Sequence, residues 1–359
     1  MSRELTRRIK KAVETQKLNK MGYSRWCPYT RGISHSFMSK WLGCRERARL
    51  AHVEGWRPKG FDVSLEFGNI FHLMKEFYYA NYRGQRSFNE VNHIADSYIT
   101  SKVINNNLTP SQTNELDTLS GLAKITFKEY VKYWRDNCWD ASNNFNDART
   151  SWVSCEEDFT VPYRLPNGIV VKLTGVIDGT FMHPETGKWM ILENKTKRRI
   201  ETNQFSELLS QDNQTQLYTL CYALKKGVIP QGTLYNIIRV TSMKPLKNEP
   251  ARDFVERVGT DIRSRPDHYF MRWETSIDSS DIERYKQTTL NPILMGIVRW
   301  WETIKKNPQK PFEKEDGSVN EEHWLRPFGV YAGSTIDLAN EFKEIILYGD
   351  YSNYERRVD

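Results

Sequence analysis

The chain has 359 residues, enough to bury one large core or two modest ones. Hydrophobic residues make up 38% and charged residues 27%, and 11 Trp, 18 Tyr and 16 Phe supply bulk for an interior, so a disordered chain is excluded despite a mean hydropathy of -0.68. A net charge of +7 favours a polyanionic partner, and the absence of any run of about 18 apolar residues excludes a spanning helix.

The opening stretch, MSRELTRRIKKAVETQKLNK, lacks the apolar core of a signal peptide, and Glu4 and Glu14 argue against a transit peptide. Leu5, Ile9, Ala12 and Val13 mark one stripe of a basic amphipathic helix, and the expected location is cytoplasmic. A Ser-capped helix is expected from Ser34 to Val53, carrying Arg45, Arg47 and Arg49. An aromatic helix follows from about Leu65 to Tyr82. A third runs from about Asn114 to Trp139, where Leu116, Leu119, Ala123, Phe127, Tyr130 and Trp134 recur at three- and four-residue steps. The polar stretch DASNNFNDARTS then marks a boundary. This gives an N-terminal helical region, 1–145.

From about Trp152 the pattern turns strand-like in CEEDFTVPYRL, IVVKLTGVIDGTFMH and KWMILENKT, separated by the turns PNG and PETGK. A helix over Phe205–Lys226 ends at Gly227 and Pro230, and GTLYNIIRVT is another strand. Strand, strand, strand, helix, strand implies a mixed sheet with a helix packed on it, spanning 146–245. The remainder, 246–359, reads as mostly helical, with a short strand near HYFMRWETS and a long helix from about Ser280 to Lys306.

In KWMILENKT, Glu193 and Lys195 project to the same side of a strand whose start is apolar. Charges at the end of a buried strand cost several kcal/mol or so per ion unless each finds a partner. Asp178 repeats the anomaly at the end of LTGVID, and a hairpin would bring it beside Glu193. Two carboxylates held together repel, and a hard divalent cation removes the repulsion. Downstream, Lys195, Lys197, Arg198 and Arg199 gather cations at and after the end of this strand, as a phosphate-tracking edge would.

The succession Asp178, then Glu193-Asn194-Lys195, resembles the motif of the PD-(D/E)XK nucleases. Gln214 and Tyr218 in QDNQTQLYTL, one helical turn apart, look like the Gln-x-x-x-Tyr motif of the RecB-like branch. Gly68 and His72 in EFGNIFHLMKEF look like its Gly-x-x-x-His, and SHSFMSKWLGCRER resembles the Ser-rich helix with a Cys that opens RecB-like and CRISPR-adaptation nucleases. Together the matches span roughly Ser34 to Val240.

The resemblance implies an α/β, restriction-endonuclease-like core wrapped by N- and C-terminal helices. It implies that His72, Asp178, Glu193 and the backbone oxygen of Asn194 hold Mg²⁺ or Mn²⁺. Lys195 would orient the attacking water, Gln214 and Tyr218 would shape the site, and Lys197, Arg198, Arg199, Gln211 and Arg45 would meet the nucleic acid. The implied function is hydrolysis of DNA by an exonuclease of recombination, repair or phage DNA processing, acting with a recombination or replication protein. A sequence-tolerant endonuclease with the same site, and a non-catalytic DNA- or partner-binding module, stay open. Cluster-bearing relatives join one upstream Cys to three near the C-terminus. Here Cys44 has no such partners, because no Cys follows Cys221, and Cys27, Cys138 and Cys155 lack the spacing. No iron–sulfur cluster is expected.

Overall fold

The computed structural model describes residues 26–59, 65–79, 88–106, 108–136, 151–198, 209, 212–305, 314, 316–318, 320 and 341–356. Ser34 accepts the Phe37 N–H at 3.1 Å and opens α1 (His35–Gly43). The expected single helix to Val53 is broken at Cys44, whose extended backbone (φ -160°, ψ 118°) starts a new helical turn, Arg45–Ala48, with Sγ accepting the Arg47 N–H. A π-helical turn, Arg49–Glu54, ends at left-handed Gly55, and β1 (Trp56–Pro58) follows. Next come α2 (Glu66–Tyr79) and α3 (Phe88–Asn106). The latter was not anticipated: it buries only Val91, Ala95 and Ile99, an apolar stripe too thin to stand out. Then α4 (Pro110–Val131) starts a turn earlier than expected, because Thr109 and Gln112 form a capping box.

The strands β2 (Ser151–Arg164), β3 (Val170–Met182) and β4 (Trp189–Lys197) fall where alternation put them. After β4 come α5 (Asn213–Lys226), β5 (Gly232–Arg239), α6 (Ala251–Ser264) and β6 (Phe270–Ser276). Asp212 caps α5, and Gly227 ends it in the left-handed region at φ 72°. The long C-terminal helix is realised as α7 (Ser279–Tyr285), a π-helical turn Lys286–Leu290, and α8 (Asn291–Ile304). Pro292, which has no N–H to donate, accounts for the irregular join. Finally come α9 (Lys343–Tyr348) and β7 (Tyr354–Arg356). No described helix is long and apolar enough to cross a membrane.

The architecture is mixed α/β. Five strands form one sheet in the order β2-β3-β4-β5-β6, with β3–β4 and β5–β6 antiparallel and β4–β5 parallel. A parallel pair needs a crossover, and α5 supplies it. The chain groups into two compact units, Met1–Lys59 with Phe159–Gly175 and Glu283–Asp359, and Gly60–Asp158 with Val176–Ile282. In the second unit α2 and α4 cover the sheet face carrying Asn194 and Asn236, while α5 covers the face carrying Glu193 and Tyr235. Its core joins Phe71, Phe127, Tyr130 and Phe270 in edge-on and stacked ring contacts. Wholly buried rings such as Phe71 and Phe127 contribute roughly 1.5–3 kcal/mol each. In the first unit Trp26 stacks on Phe37 at 4.0 Å beside Trp300 and Trp301, and β1 pairs with β7.

Candidate metal centre

The β3–β4 hairpin sets the geometry. Its register pairs Gly179 with Leu192, so Asp178 stands level with Glu193, and the Asn194 N–H donates to Asp178 Oδ2 at 2.7 Å. Alternation puts Glu193 and Lys195 on one face, where Lys195 Nζ lies 2.5 Å from Glu193 Oε1. Gln214, in the first turn of α5, ties the two together: Lys195 Nζ donates to its Oε1 at 2.7 Å, and its Nε2 donates to Glu193 Oε1 at 2.9 Å. The same Nε2 reaches Tyr218 Oη at 3.3 Å. Asp212, which accepts the Gln214 N–H at 3.1 Å, holds that turn in place.

Glu193 is only 2% exposed. Its other oxygen, Oε2, is buried and accepts no hydrogen bond among the described residues. Burial, and then the neighbouring charge of Asp178, push its carboxyl up to about 8, although Lys195 pulls the other way. Burial works against the charge on Lys195, yet Glu193 more than compensates and holds the ammonium above its ordinary value.

One helix and two strands meet beside this pair. Ligand atoms of His72 on α2, Glu156 on β2 and Asp178 on β3 all lie within 4.8 Å of one another, on half-buried side chains. Burial holds the His72 imidazole below its ordinary value; Asp178 opposes this, while Lys75 and Lys195 add to it. A neutral imidazole is the form that binds a metal. Glu156 sits at φ +48°, a left-handed backbone that costs a residue with a Cβ roughly 1–3 kcal/mol and re-aims its side chain. Gly68 lets α2 lie close to β4, since a Cβ there would stand 3.0 Å from Thr196 Oγ1. One imidazole nitrogen, two converging carboxylates and the acceptor Glu193 Oε2, buried without a donor among the described residues, fit a hard divalent cation.

The structure brings some of the expected ligands together and not others. His72 and Asp178 converge, but Glu156 is the third member, while Glu193 turns to Lys195 and Gln214. The Asn194 side chain points to the opposite face, where it accepts from Lys75 Nζ and, at 2.9 Å, from Asn236 Nδ2. Lys75 is a buried cation, 2% exposed, one turn from His72 and flanked by the rings of Phe71 and Tyr130. Glu156, Lys75 and Asn236 escaped the sequence reading. Among them only Glu156 left a signal, an acidic pair at the head of an alternating strand.

Among the cations, Lys197 and Arg198 are exposed at the end of β4. Arg199 and Gln211 lie outside the described residues. Arg45 belongs to the other unit and is buried, its guanidinium 4.7 Å from the centre of the Trp41 ring. Cys27, Cys44, Cys155 and Cys221 are buried and form no disulfide among the described residues, and Cys138 lies outside them. Compared with family models and with curated protein sequences, the chain matches none.

Proposed function

We propose that this chain is a divalent-metal-dependent nuclease of the PD-(D/E)XK type, RecB-like branch, which hydrolyses phosphodiester bonds in DNA. The observation that carries the reading is the convergence of His72, Glu156 and Asp178 beside the buried Glu193–Lys195 pair. On this reading the five-stranded sheet is a restriction-endonuclease-like core. His72, Glu156 and Asp178 would hold Mg²⁺ or Mn²⁺, with Glu193 and the Asn194 backbone oxygen as further donors. Such a cation neutralises charge on a phosphate oxygen and acidifies water.

The chain's own groups account for the rest. Lys195 Nζ, fixed by Glu193 and Gln214, orients the attacking water and offsets the charge that builds on the phosphate oxygens. Gln214 keeps the ammonium aimed by accepting from it while donating to Glu193 and Tyr218. The imidazole nitrogen of His72 favours Mn²⁺ over Mg²⁺. Among the activities such a site supports, exonucleolytic action in recombination, repair or phage DNA processing is the one proposed.

The test is incubation of the full chain with end-labelled linear and closed circular DNA, single- and double-stranded, with Mg²⁺, Mn²⁺ or EDTA. Metal-dependent shortening of linear DNA with circles left intact is expected. Cleavage of circles would assign an endonuclease, and no cleavage of any substrate would overturn the proposal.

A further inference from the structure

Several guanidinium groups of the unit that carries the candidate centre are held by carboxylates. In the same unit, Arg257 is neutralised by Glu249, Arg263 by Glu256 and Glu129, and Arg265 by Asp261. Arg239, half-buried at the end of β5, has no carboxylate partner among the described residues. Its Nε donates to the His268 backbone oxygen at 2.9 Å, which fixes the plane of the group and leaves the outer edge of the fork unbonded among the described residues.

The register makes this more pointed. Lys197 is the direct cross-strand partner of Arg239, and the strand ends are held together there by the Val240 N–H donating to the Lys197 oxygen at 2.9 Å. Alternation places Lys197 and Arg239 on the face that carries Glu193 and Lys195. A two-residue step along a strand is about 6.6 Å and a step across the sheet about 4.8 Å, so the pair lies within a nucleotide or so of Lys195.

We propose that Lys197 and Arg239 form a subsite for one backbone phosphate of a nucleic acid strand, adjacent to the phosphate presented to Lys195. Resting on the nuclease reading, this names the residue that steers the strand away from the reacting bond. Arg239 forks onto the non-bridging oxygens, and Lys197 adds a point charge from the neighbouring strand.

The experiment measures binding of a labelled single-stranded oligonucleotide to the full chain by fluorescence anisotropy, in EDTA and across a series of KCl concentrations. Arg239→Gln should weaken binding by about tenfold, as loss of a charge-assisted contact does. It should also flatten the slope of log affinity against log salt by about 0.7, the contribution of one phosphate on a single strand. Arg239→Lys should fall between, because charge is kept and the fork is lost. If both side chains hold one phosphate, Lys197→Gln combined with Arg239→Gln loses less than the product of the single losses. The control Arg252→Gln, an exposed cation on α6, should bind as the parent does.

Melting curves establish that each variant is folded, and Arg239→Lys stands in should Arg239→Gln fail to fold. A folded Arg239→Gln that matches the control overturns the subsite while DNA cleavage by the parent keeps the nuclease reading intact. Inorganic phosphate competing as well as the oligonucleotide, phosphate for phosphate, overturns the strand-backbone assignment in favour of a free-anion site. A parent chain that neither binds nor cleaves removes both.

Discussion

At the scale of single residues, Glu193 concentrates the unusual energetics. Its carboxyl is raised from the ordinary 4.5 to about 8 by burial and by Asp178, so the folded chain binds a proton that the unfolded chain releases. The resulting stability is complete below about pH 4.5 and is lost as the pH rises through about 8. Glu193→Gln removes that loss. In EDTA at pH 8.5 or so the variant should melt about 2–4 °C above the parent, the shift that about 1 kcal/mol makes in a domain of this size. Near pH 4.5 the two should coincide. With Mn²⁺ the parent should gain more than the variant, and a variant that melts below the parent in EDTA at high pH would remove the buried-charge account. Glu156 is the complementary case. Asn tolerates its left-handed backbone but lacks the carboxylate. Glu156→Asn should therefore keep its metal-free melting temperature while Mn²⁺ affinity, measured by calorimetry, falls at least ~10-fold. Unchanged affinity would leave His72 and Asp178 without their third partner. The difference between these residues also explains what sequence could reveal. Glu193, Lys195, Gln214 and Tyr218 stand out through spacings of two and four along one strand and one helix, which are local quantities. Glu156 meets His72 from a left-handed position within β2, which no local spacing announces, and Lys75 looks like any surface lysine until α2 is laid on β4.

At the scale of elements, the contact between α2 and β4 decides whether His72 reaches the hairpin carboxylates. Gly68 faces Thr196 Oγ1 across this contact, and a Cβ at position 68 would stand 3.0 Å from it. Gly68→Val leaves no room for a branched side chain, so α2 should move off the sheet and carry His72 with it. Loss of Mn²⁺ binding is the expected readout, with partial recovery when Thr196→Ala clears the facing hydroxyl and methyl. Binding unaffected by Gly68→Val would show that the approach of the two elements is not limiting. The elements themselves were legible where the local signal is strong: β2 and β3 as strand-like runs between turns, β4 and β5 as short, continuously buried runs, and α4 through its apolar stripe. Legibility failed for two physical reasons. Where a side chain competes with the helix ladder, as Cys44 Sγ does for the Arg47 N–H, an amphipathic run over Ser34–Val53 hides a break. Where a helix is mostly exposed, as α3 is, tertiary packing of three residues is all that distinguishes it.

For the molecule as a whole, the chain is interleaved in a way that no linear division reproduces. The hairpin tip Phe159–Gly175 groups with the two ends of the chain, where Ile33 bridges Leu173 and the Lys172 N–H donates to the Pro28 oxygen at 3.0 Å. A division at 145 and 245 follows the composition of the chain but not this pairing across more than a hundred residues. The same grouping bears on the cysteines. A cubane iron–sulfur cluster requires about four thiolates close together. Of the described cysteines, Cys27 and Cys44 belong to one unit and Cys155 and Cys221 to the other. Cys44 Sγ is engaged in capping the turn after α1, and burial pushes the Cys221 thiol far above its ordinary value, which disfavours the thiolate that iron needs. Protein purified anaerobically should therefore be colourless, without the absorbance near ~400 nm that such clusters give, and should contain no stoichiometric iron or sulfide. Replacing Cys221 by Ser should cost stability through a buried polar group rather than change any colour. Stoichiometric iron with acid-labile sulfide in the parent, lost on Cys44→Ser, would overturn this and make Cys44 a cluster ligand instead of a helix cap.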